Sequence, residues 1–227
     1  WGVSDLLAQR QDELGCGHAS SLGGAPRRRR AMSGAPRRLE PVASDSFAHL
    51  HVHSEYSMLD GAARIGAMVQ EAGRLEMPAI AVTDHGNTFA AYEFYKTAKD
   101  AGIKPIIGIE AYVTPGTHRS DKSRVRWGTP DQNSDDVSGS GAYTHMTLLS
   151  ETTEGMHNLF RLSSKASIEG YYFKPRMDRD LLQTYGKGLI ATTGCPSGEV
   201  QTKLRLGLYK EAVQAAADFR DIFGKDN

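Results

Sequence analysis

Residues 49–61, which read HLHVHSEYSMLDG, gather several side chains of the kinds that bind metal ions. In an extended strand alternate side chains point to the same face, so His51 and His53 can reach one ion together. Asp60 follows after a turn and adds a carboxylate oxygen. Imidazole and carboxylate ligands together suit zinc, manganese or iron. The stretch therefore predicts a strand, a turn and part of a metal site, although a histidine pair on a solvated strand is an alternative that spacing alone leaves open.

Outward from this stretch, apolar strands alternate with amphipathic helices. We predict strands at 47–53, 79–82, 105–113, 143–149 and 189–193, and helices at 62–75, 89–100, 154–167 and, in segments, 199–223. Such alternation is typical of an α/β fold built from parallel βαβ units. In βα barrels the reactive side chains gather at the C-terminal ends of the strands. Residues from several predicted strands are therefore expected to meet at one site.

Side chains that could bind metal occur at several of these strand ends and strands. The candidate metal ligands are His51, His53, Asp60, His85, Glu110, His145 and Cys195. His49 shares the strand face of His51 and His53, so spacing alone nominates it as well. Asp84 precedes His85 and is expected to orient the loop rather than to bind metal.

Five segments together resemble one known family. They are HLHVHSEYSMLDG, AVTDHGN, GIKPIIGIEAYV, YTHMTLL and TTGCPSGEVQ. The chain over 46–227 resembles the polymerase and histidinol phosphatase (PHP) domain, and most closely the PHP domain found at the N-terminus of bacterial DNA polymerase III alpha subunits of the actinobacterial type. In that motif His51 and His53 are ligands and His49 is not, so we expect His49 to be a buried, hydrogen-bonded histidine.

The resemblance implies a distorted (βα)7 barrel that holds up to three divalent metals, with zinc or manganese expected. All seven candidate ligands match positions of the family motif. A further Asp and His of that motif would fall beyond Asn227, so the resemblance implies a PHP domain over 46–227 that is truncated at its C-terminal end. The chain begins at Trp1 rather than Met, and we expect it to be a piece of a longer protein.

Clustered divalent metals suit phosphoester hydrolysis, in which carboxylates such as Asp60 and Glu110 bridge or hold the ions. The resemblance implies a 3′→5′ proofreading exonuclease within a DNA-directed DNA polymerase. It also implies magnesium for the polymerase part of the parent, and as partners the DNA primer 3′ end, the palm, thumb and fingers of the same chain, and the sliding clamp and other replisome subunits.

Three other readings remain open at this point. The first is a catalytically weak PHP module that supports the polymerase structurally. The second is a histidinol-phosphate phosphatase, which shares the metal site, although the TTGCPSGEVQ segment favours the polymerase branch. The third is a general amidohydrolase barrel, which would need a carboxylated lysine or a different ligand order.

The composition limits the partners and the cellular compartment that we expect for the protein. Lysine and arginine total 27, as do aspartate and glutamate, so the formal net charge is zero and any nucleic-acid contact must be local. The chain has two cysteines, Cys16 and Cys195, which argues against a disulfide scaffold and for a reducing, cytoplasmic setting. No apolar run approaches the ~20 residues of a membrane span, so we expect no membrane contact.

Two polar segments frame the predicted domain. Residues 1–45 are rich in Gly, Ala, Pro and Arg, with an arginine run at 27–30, and are expected to be a disordered tail. A nucleic-acid or targeting arm, and upstream sequence before a true start at Met32, are the alternatives. Residues 114–141 form a long polar loop, in which the basic residues Arg119, Lys122, Arg124 and Arg126 and the neighbouring Trp127 either grip a single strand or are simply solvated.

Overall fold

Six strands form one sheet in the computed structural model, which describes residues 46–129 and 137–227. The predicted tail at 1–45 and the loop segment 130–136 lie outside the described residues. The strands are β1 (Ala79–Val82), β2 (Lys104–Val113), β3 (Thr144–Ser150), β4 (Tyr171–Tyr172), β5 (Lys174–Met177) and β6 (Leu189–Thr192). Their order is β4-β5-β2-β3-β6, and β1 pairs with the first half of β2.

The sheet mixes parallel and antiparallel pairs, which corrects part of the sequence prediction. The unit β1–helix–β2 is parallel as predicted. However, β3 runs antiparallel to β2, and β6 antiparallel to β3. A parallel neighbour needs a crossover that returns the chain to its starting edge. The described part of the chain between β2 and β3 contains only a helical turn at Ser138–Gly141, so the chain comes back alongside β2. Closure into a (βα)7 barrel stays a prediction.

Helices pack on this sheet through their apolar faces. They are α1 (Ile65–Arg74), α2 (Ala91–Asp100), α3 (Thr153–Glu169), α4 (Arg179–Tyr185), α5 (Glu199–Arg205) and α6 (Tyr209–Phe223), preceded by a 3-10 helix at Glu55–Asp60. In α1 the residues Ile65, Met68, Val69 and Ala72 are buried, as their helical spacing predicts. No helix of 46–129 or 137–227 is long and apolar enough to cross a bilayer.

The predicted strand at 47–53 is not a regular strand, because it bends at residues 50–51 and pairs only at one isolated bridge, between His49 and Ile80. Its backbone still joins β1, since the Ala81 N–H donates to the His49 carbonyl at 2.8 Å. The hydroxyl of Thr83 accepts the Val52 N–H at 2.8 Å. The Thr83 N–H in turn donates to the Val52 carbonyl at 2.8 Å, so side-chain and main-chain bonds together hold the segment there. The segment nevertheless aligns the histidines with the end of β1.

Candidate metal centre

Glu110 lies at the middle of the predicted ligand cluster. It is in β2, its side chain is 3% exposed, and its two oxygens face different sets of neighbours. Oε2 lies 2.9 Å from His51 Nε2 and 2.6 Å from His53 Nε2. Oε1 lies 2.6 Å from His145 Nδ1 and 3.5 Å from Cys195 Sγ. One carboxylate therefore contacts side chains from three widely separated segments.

His85 and Asp60 complete the cluster on its open side. His85 Nδ1 lies 3.4 Å from Glu110 Oε2, and its Nε2 lies 3.4 Å from Asp60 Oδ2. The Asp60 side chain is 66% exposed, at the end of the 3-10 helix. All seven side chains nominated from the sequence thus come together, while their role as ligands stays a prediction.

Two ligand groups can be drawn around the shared carboxylate. In one, ligand atoms of His51, His53 and Glu110 lie within 4.8 Å of one another, and in the other the same holds for His85, Glu110 and His145. A carboxylate shared by two such groups is the kind of side chain that would help to hold clustered divalent ions. The imidazole, carboxylate and thiol donor set fits zinc or manganese.

A further observation agrees with this fit. Within the described residues His85 Nδ1 is buried and makes no hydrogen bond. A buried imidazole nitrogen without such a partner is costly, and a metal ion would satisfy it.

Asp84 holds the loops around the centre. Its Oδ1 accepts the Ser54 N–H at 2.7 Å and the Ser57 hydroxyl at 2.6 Å, and its Oδ2 accepts the Ser54 hydroxyl at 2.7 Å. The Ser57 hydroxyl in turn accepts the His85 N–H at 3.1 Å. Asp84 therefore orients the loop, as the sequence analysis predicts, and it does so through two serines that the analysis did not single out.

Main-chain bonds fix the remaining candidate ligands. The Glu110 N–H donates to the Asp84 carbonyl at 3.0 Å, and the Gly86 N–H donates back to the Glu110 carbonyl at 2.9 Å, so the His85 loop continues the sheet beside β2. The His145 N–H donates to the Ser197 carbonyl at 3.0 Å, which ties the loop carrying Cys195 to β3.

The electrostatics of the cluster depend on its burial. Burial alone would raise the pKa of Glu110, but hydrogen bonds from His145, His51 and His53 outweigh it and hold that pKa well below its usual range. Burial, reinforced by the neighbouring imidazoles of His53 and His145 against the opposing Glu110 charge, lowers the pKa of His85 to about 4. His85 is therefore neutral near pH 7, the form in which imidazole binds a metal.

Whereas the pKa of His85 is lowered, the pKa of the Cys195 thiol is raised. Burial, with a smaller contribution from the Glu110 charge, raises its pKa to about 11, despite hydrogen bonds from the backbone at Ser197 and Gly198. The thiol is therefore protonated near pH 7, and metal binding would have to displace that proton because thiolate is the ligand form.

Two tyrosines that the sequence analysis missed form one wall of the centre. The Tyr112 ring stacks on the His85 ring at 5.7 Å and an angle of 11°, and meets the His145 ring edge-on at 5.1 Å. Tyr143 packs against Tyr112 at 4.8 Å. Tyr112 is two residues from Glu110 on the same strand, so the alternation of side chains along β2 is a signal that could have found it.

The other histidines in the described part of the chain lie outside the cluster. His49 is half-buried and packs edge-on against Phe47 at 4.7 Å, so it is less enclosed than the buried histidine we expected. His118 and His157 are exposed. His118 lies near Asp178 and Asp180, but the Asp178 carboxylate is already bound by the Arg119 side chain at 2.9 Å and the Leu181 N–H at 2.9 Å.

Comparison with known proteins identifies the family. The PHP domain model matches residues 49–227. DNA polymerase III subunit alpha of Saccharopolyspora erythraea is 62% identical over 190 residues, and that of Mycobacterium tuberculosis is 59% identical over 186 residues. These matches cover 81% and 82% of this chain but 16% of each relative, so the chain spans about a sixth of their length.

Among solved structures, an amidohydrolase from Chromobacterium violaceum aligns with a TM-score of 0.34 and 21% identity, covering 52% of this chain and 32% of that one. That likeness is too low to support an argument. The family-model match and the two relatives agree with each other: the chain belongs to the PHP domain family and is homologous to part of the bacterial DNA polymerase III alpha subunit.

Proposed function

We propose that this chain is the PHP segment of a bacterial replicative polymerase alpha subunit and that its metal centre is a phosphodiesterase that removes nucleotides from the 3′ end of a DNA primer. The observation that carries the proposal is the meeting of six other candidate ligand side chains around the buried carboxylate of Glu110. The whole subunit would act in the cytoplasm on DNA, with the other replisome subunits as partners.

The proposed ligand roles follow from the neighbours of the two Glu110 oxygens. His51 and His53 would hold one divalent ion with Oε2, and His145 and Cys195 would hold a second with Oε1. Zinc or manganese is the ion class that this donor set suits. When bound, such ions generate hydroxide near neutral pH and neutralise charge on the reacting phosphate.

The protein's own residues supply position and order. Glu110 is held by β2 and its neighbours, so its carboxylate has a fixed position relative to the histidines around it. Asp60 is exposed at the mouth, where it can reach an ion that also contacts substrate. The Tyr112 ring covers the flank of His85 and excludes water from that side. Preorganised groups of this kind lower the cost of charge development in the transition state.

The test is primer degradation by the full-length subunit. Wild type, Asp60→Asn and Glu110→Gln are compared on a primer with a mismatched 3′ end, with added manganese or zinc, and primer extension is measured in parallel. Both variants should lose 3′→5′ degradation by more than about a hundredfold, because losing a residue that only orients a metal ligand already costs 10–100-fold and these variants remove proposed ligands directly. Primer extension should persist, since the polymerase chemistry lies elsewhere in the subunit.

Asp100→Asn is the matched control, because Asp100 is an exposed carboxylate at the end of α2, and it should degrade the primer at the wild-type rate. Degradation that survives Glu110→Gln would overturn the proposal. Absence of degradation in the wild type would also overturn it, and would leave the segment as a structural support for the polymerase.

A further inference from the structure

The hairpin formed by β4 and β5 presents an aromatic ring to solvent at its tip. Tyr172 pairs with Lys174, so Phe173 alone makes the turn. Its φ is 61°, a conformation that bulky side chains rarely adopt, and it is 55% exposed. A strained backbone that holds an apolar ring in water is not explained by folding stability, and such positions are often kept for binding.

Two basic side chains lie against aromatic rings at this hairpin. The Arg124 guanidinium carbon lies 5.0 Å from the centre of the Phe173 ring, and Lys174 Nζ lies 5.5 Å from the centre of the Tyr112 ring. Both basic residues are exposed. Arg124 belongs to the basic loop found in the sequence, in which Arg119 instead pairs with Glu169 and Asp178 and is structural.

The hairpin also touches the wall of the metal centre. The Tyr112 ring that carries Lys174 on one side is stacked on the ring of His85. Pro175 of β5 packs close to Gly86, where an added Cβ would lie 2.8 Å from Pro175 Cγ. The path from the cluster outward therefore runs from His85 to Tyr112, Lys174 and then Phe173 with Arg124. From Tyr112 onward, rings and positive charges alternate along it.

We propose that Lys174, Phe173 and Arg124 form a strand-binding surface for the single-stranded DNA that leads into the metal centre. Lys174 and Arg124 each contact a backbone phosphate, and a base stacks on Phe173 beside the Arg124 guanidinium. Alternating cations and aromatic rings bind single strands without reading their sequence. The chain has no net charge, so the attraction has to come from a local surface of this kind. The choice of DNA as the ligand of this surface rests on the proposed function.

Binding can be measured separately from hydrolysis. A short fluorescein-labelled oligothymidylate is titrated with the 227-residue chain in chelator, so that no metal-dependent cleavage occurs, and the anisotropy is followed at several salt concentrations. Each phosphate contact to a single strand contributes about 0.7 to the slope of log affinity against log salt. Lys174→Gln and Arg124→Gln should therefore each lower that slope by about 0.7.

Variants at Phe173 distinguish an effect of stacking on DNA binding from an effect of charge and from an effect on folding. Phe173→Gly should weaken binding about tenfold without changing the salt slope, because it removes a stacking surface and no charge. The same change should leave Tm unchanged or raise it, since glycine adopts a positive φ without strain. Phe173→Tyr should bind as the wild type does, because the ring is retained.

Lys210→Gln is the control for charge, because Lys210 is exposed on α6, and it should leave the slope unchanged. Wild-type binding with the three expected losses supports the strand-binding surface. A wild-type chain that does not bind the oligothymidylate, or Lys174→Gln and Phe173→Gly variants that bind like the wild type, would overturn it. Because chelator prevents metal-dependent cleavage, the binding result can be interpreted even if the nuclease proposal fails.

Discussion

The hydroxyl of Ser57 donates to Asp84 at 2.6 Å while it accepts the backbone N–H of His85 at 3.1 Å. One hydroxyl thus connects the segment that carries Asp60 to the loop that carries His85. Neither Ser57 nor Asp84 is among the seven candidate ligands. The spacing between two of those ligands nevertheless depends on this pair.

Ser57→Ala should therefore weaken metal binding without removing a ligand. Loss of a partner that orients ligands typically costs 10–100-fold in metal affinity, and we expect about tenfold here. Competition with a chromogenic zinc chelator measures it. Ser164→Ala is the matched control, since Ser164 is exposed on α3, and it should leave the affinity unchanged. Equal affinities in the two variants would contradict the orienting role of Ser57.

Asp178 should make the free energy of unfolding depend on pH. Burial alone would raise the pKa of this carboxyl, but hydrogen bonds from the Arg119 and Leu181 N–H groups and from the Arg119 guanidinium outweigh it, so the pKa is lowered. The folded state then binds its proton at a lower pH than the unfolded state does. The stabilisation is present above the unfolded pKa of about 3.9 and is lost as pH falls through the lowered folded value.

We expect Asp178→Asn to lower the free energy of unfolding by about 2 kcal/mol at pH 7, with the difference from wild type shrinking towards pH 3. Urea unfolding followed at a series of pH values measures both quantities. Asp226→Asn, an exposed change near the end of the chain, should show no such dependence. A difference between wild type and Asp178→Asn that stays constant down to pH 3 would count against the ion pair.

A close backbone approach should make Gly155 irreplaceable. Gly155 is in the first turn of α3, and an added Cβ would lie 1.7 Å from the carbonyl oxygen of Gly188. Gly155→Ala should therefore lower the free energy of unfolding by more than about 2 kcal/mol, because the backbone must move to admit the methyl group. Gly66 in α1 meets nothing within 4 Å. Gly66→Ala should stabilise by about 0.5 kcal/mol, so thermal unfolding should shift in opposite directions for the two variants.

Arg176 should be among the most sensitive positions of the fold. Its guanidinium is buried and donates to the carbonyls of Gly170 at 3.0 Å, Ala142 at 3.3 Å, Arg119 at 2.8 Å and Asp121 at 2.9 Å. Removing this side chain takes a donor from all four carbonyls, two of which, those of Gly170 and Ala142, belong to buried residues.

Arg176→Met should therefore cost about 3 kcal/mol or more. Arg176→Lys should recover little of it, because one ammonium cannot reproduce the planar fork. Arg220→Met, at an exposed ion pair with Asp221, should stay within about 0.5 kcal/mol of wild type. Full recovery of stability by Arg176→Lys in denaturant unfolding would show that charge alone matters at this position.

Periodicity predicted the elements whose signal is local. The bounds of β1 were predicted to the residue, and those of β2 and β3 to within one residue. The apolar spacing in α1 correctly gave its buried face. The β4–β5 hairpin and α4 were missed, because Lys174–Met177 contains a proline and two basic residues and α4 is too short to show a helical period.

What periodicity could not supply is direction and long-range contact. The antiparallel run of β3 depends on how the chain returns beside β2, which no window of sequence contains. The meeting of the seven candidate ligands could be predicted because side-chain chemistry and the family motif mark them directly in the sequence. Ser57, Tyr112 and Arg176 act through partners distant in sequence, so only the folded chain brings their roles into view.

The four carbonyls gathered by Arg176 also determine how this part of the molecule opens. The guanidinium joins β5 to the loop at Arg119 and Asp121, so the loop that leads to Arg124 and the hairpin that carries Phe173 share one anchor. Segments with a common anchor open as one cooperative unit. Amide hydrogen exchange should accordingly show 119–125 and 171–177 opening together, with one free energy.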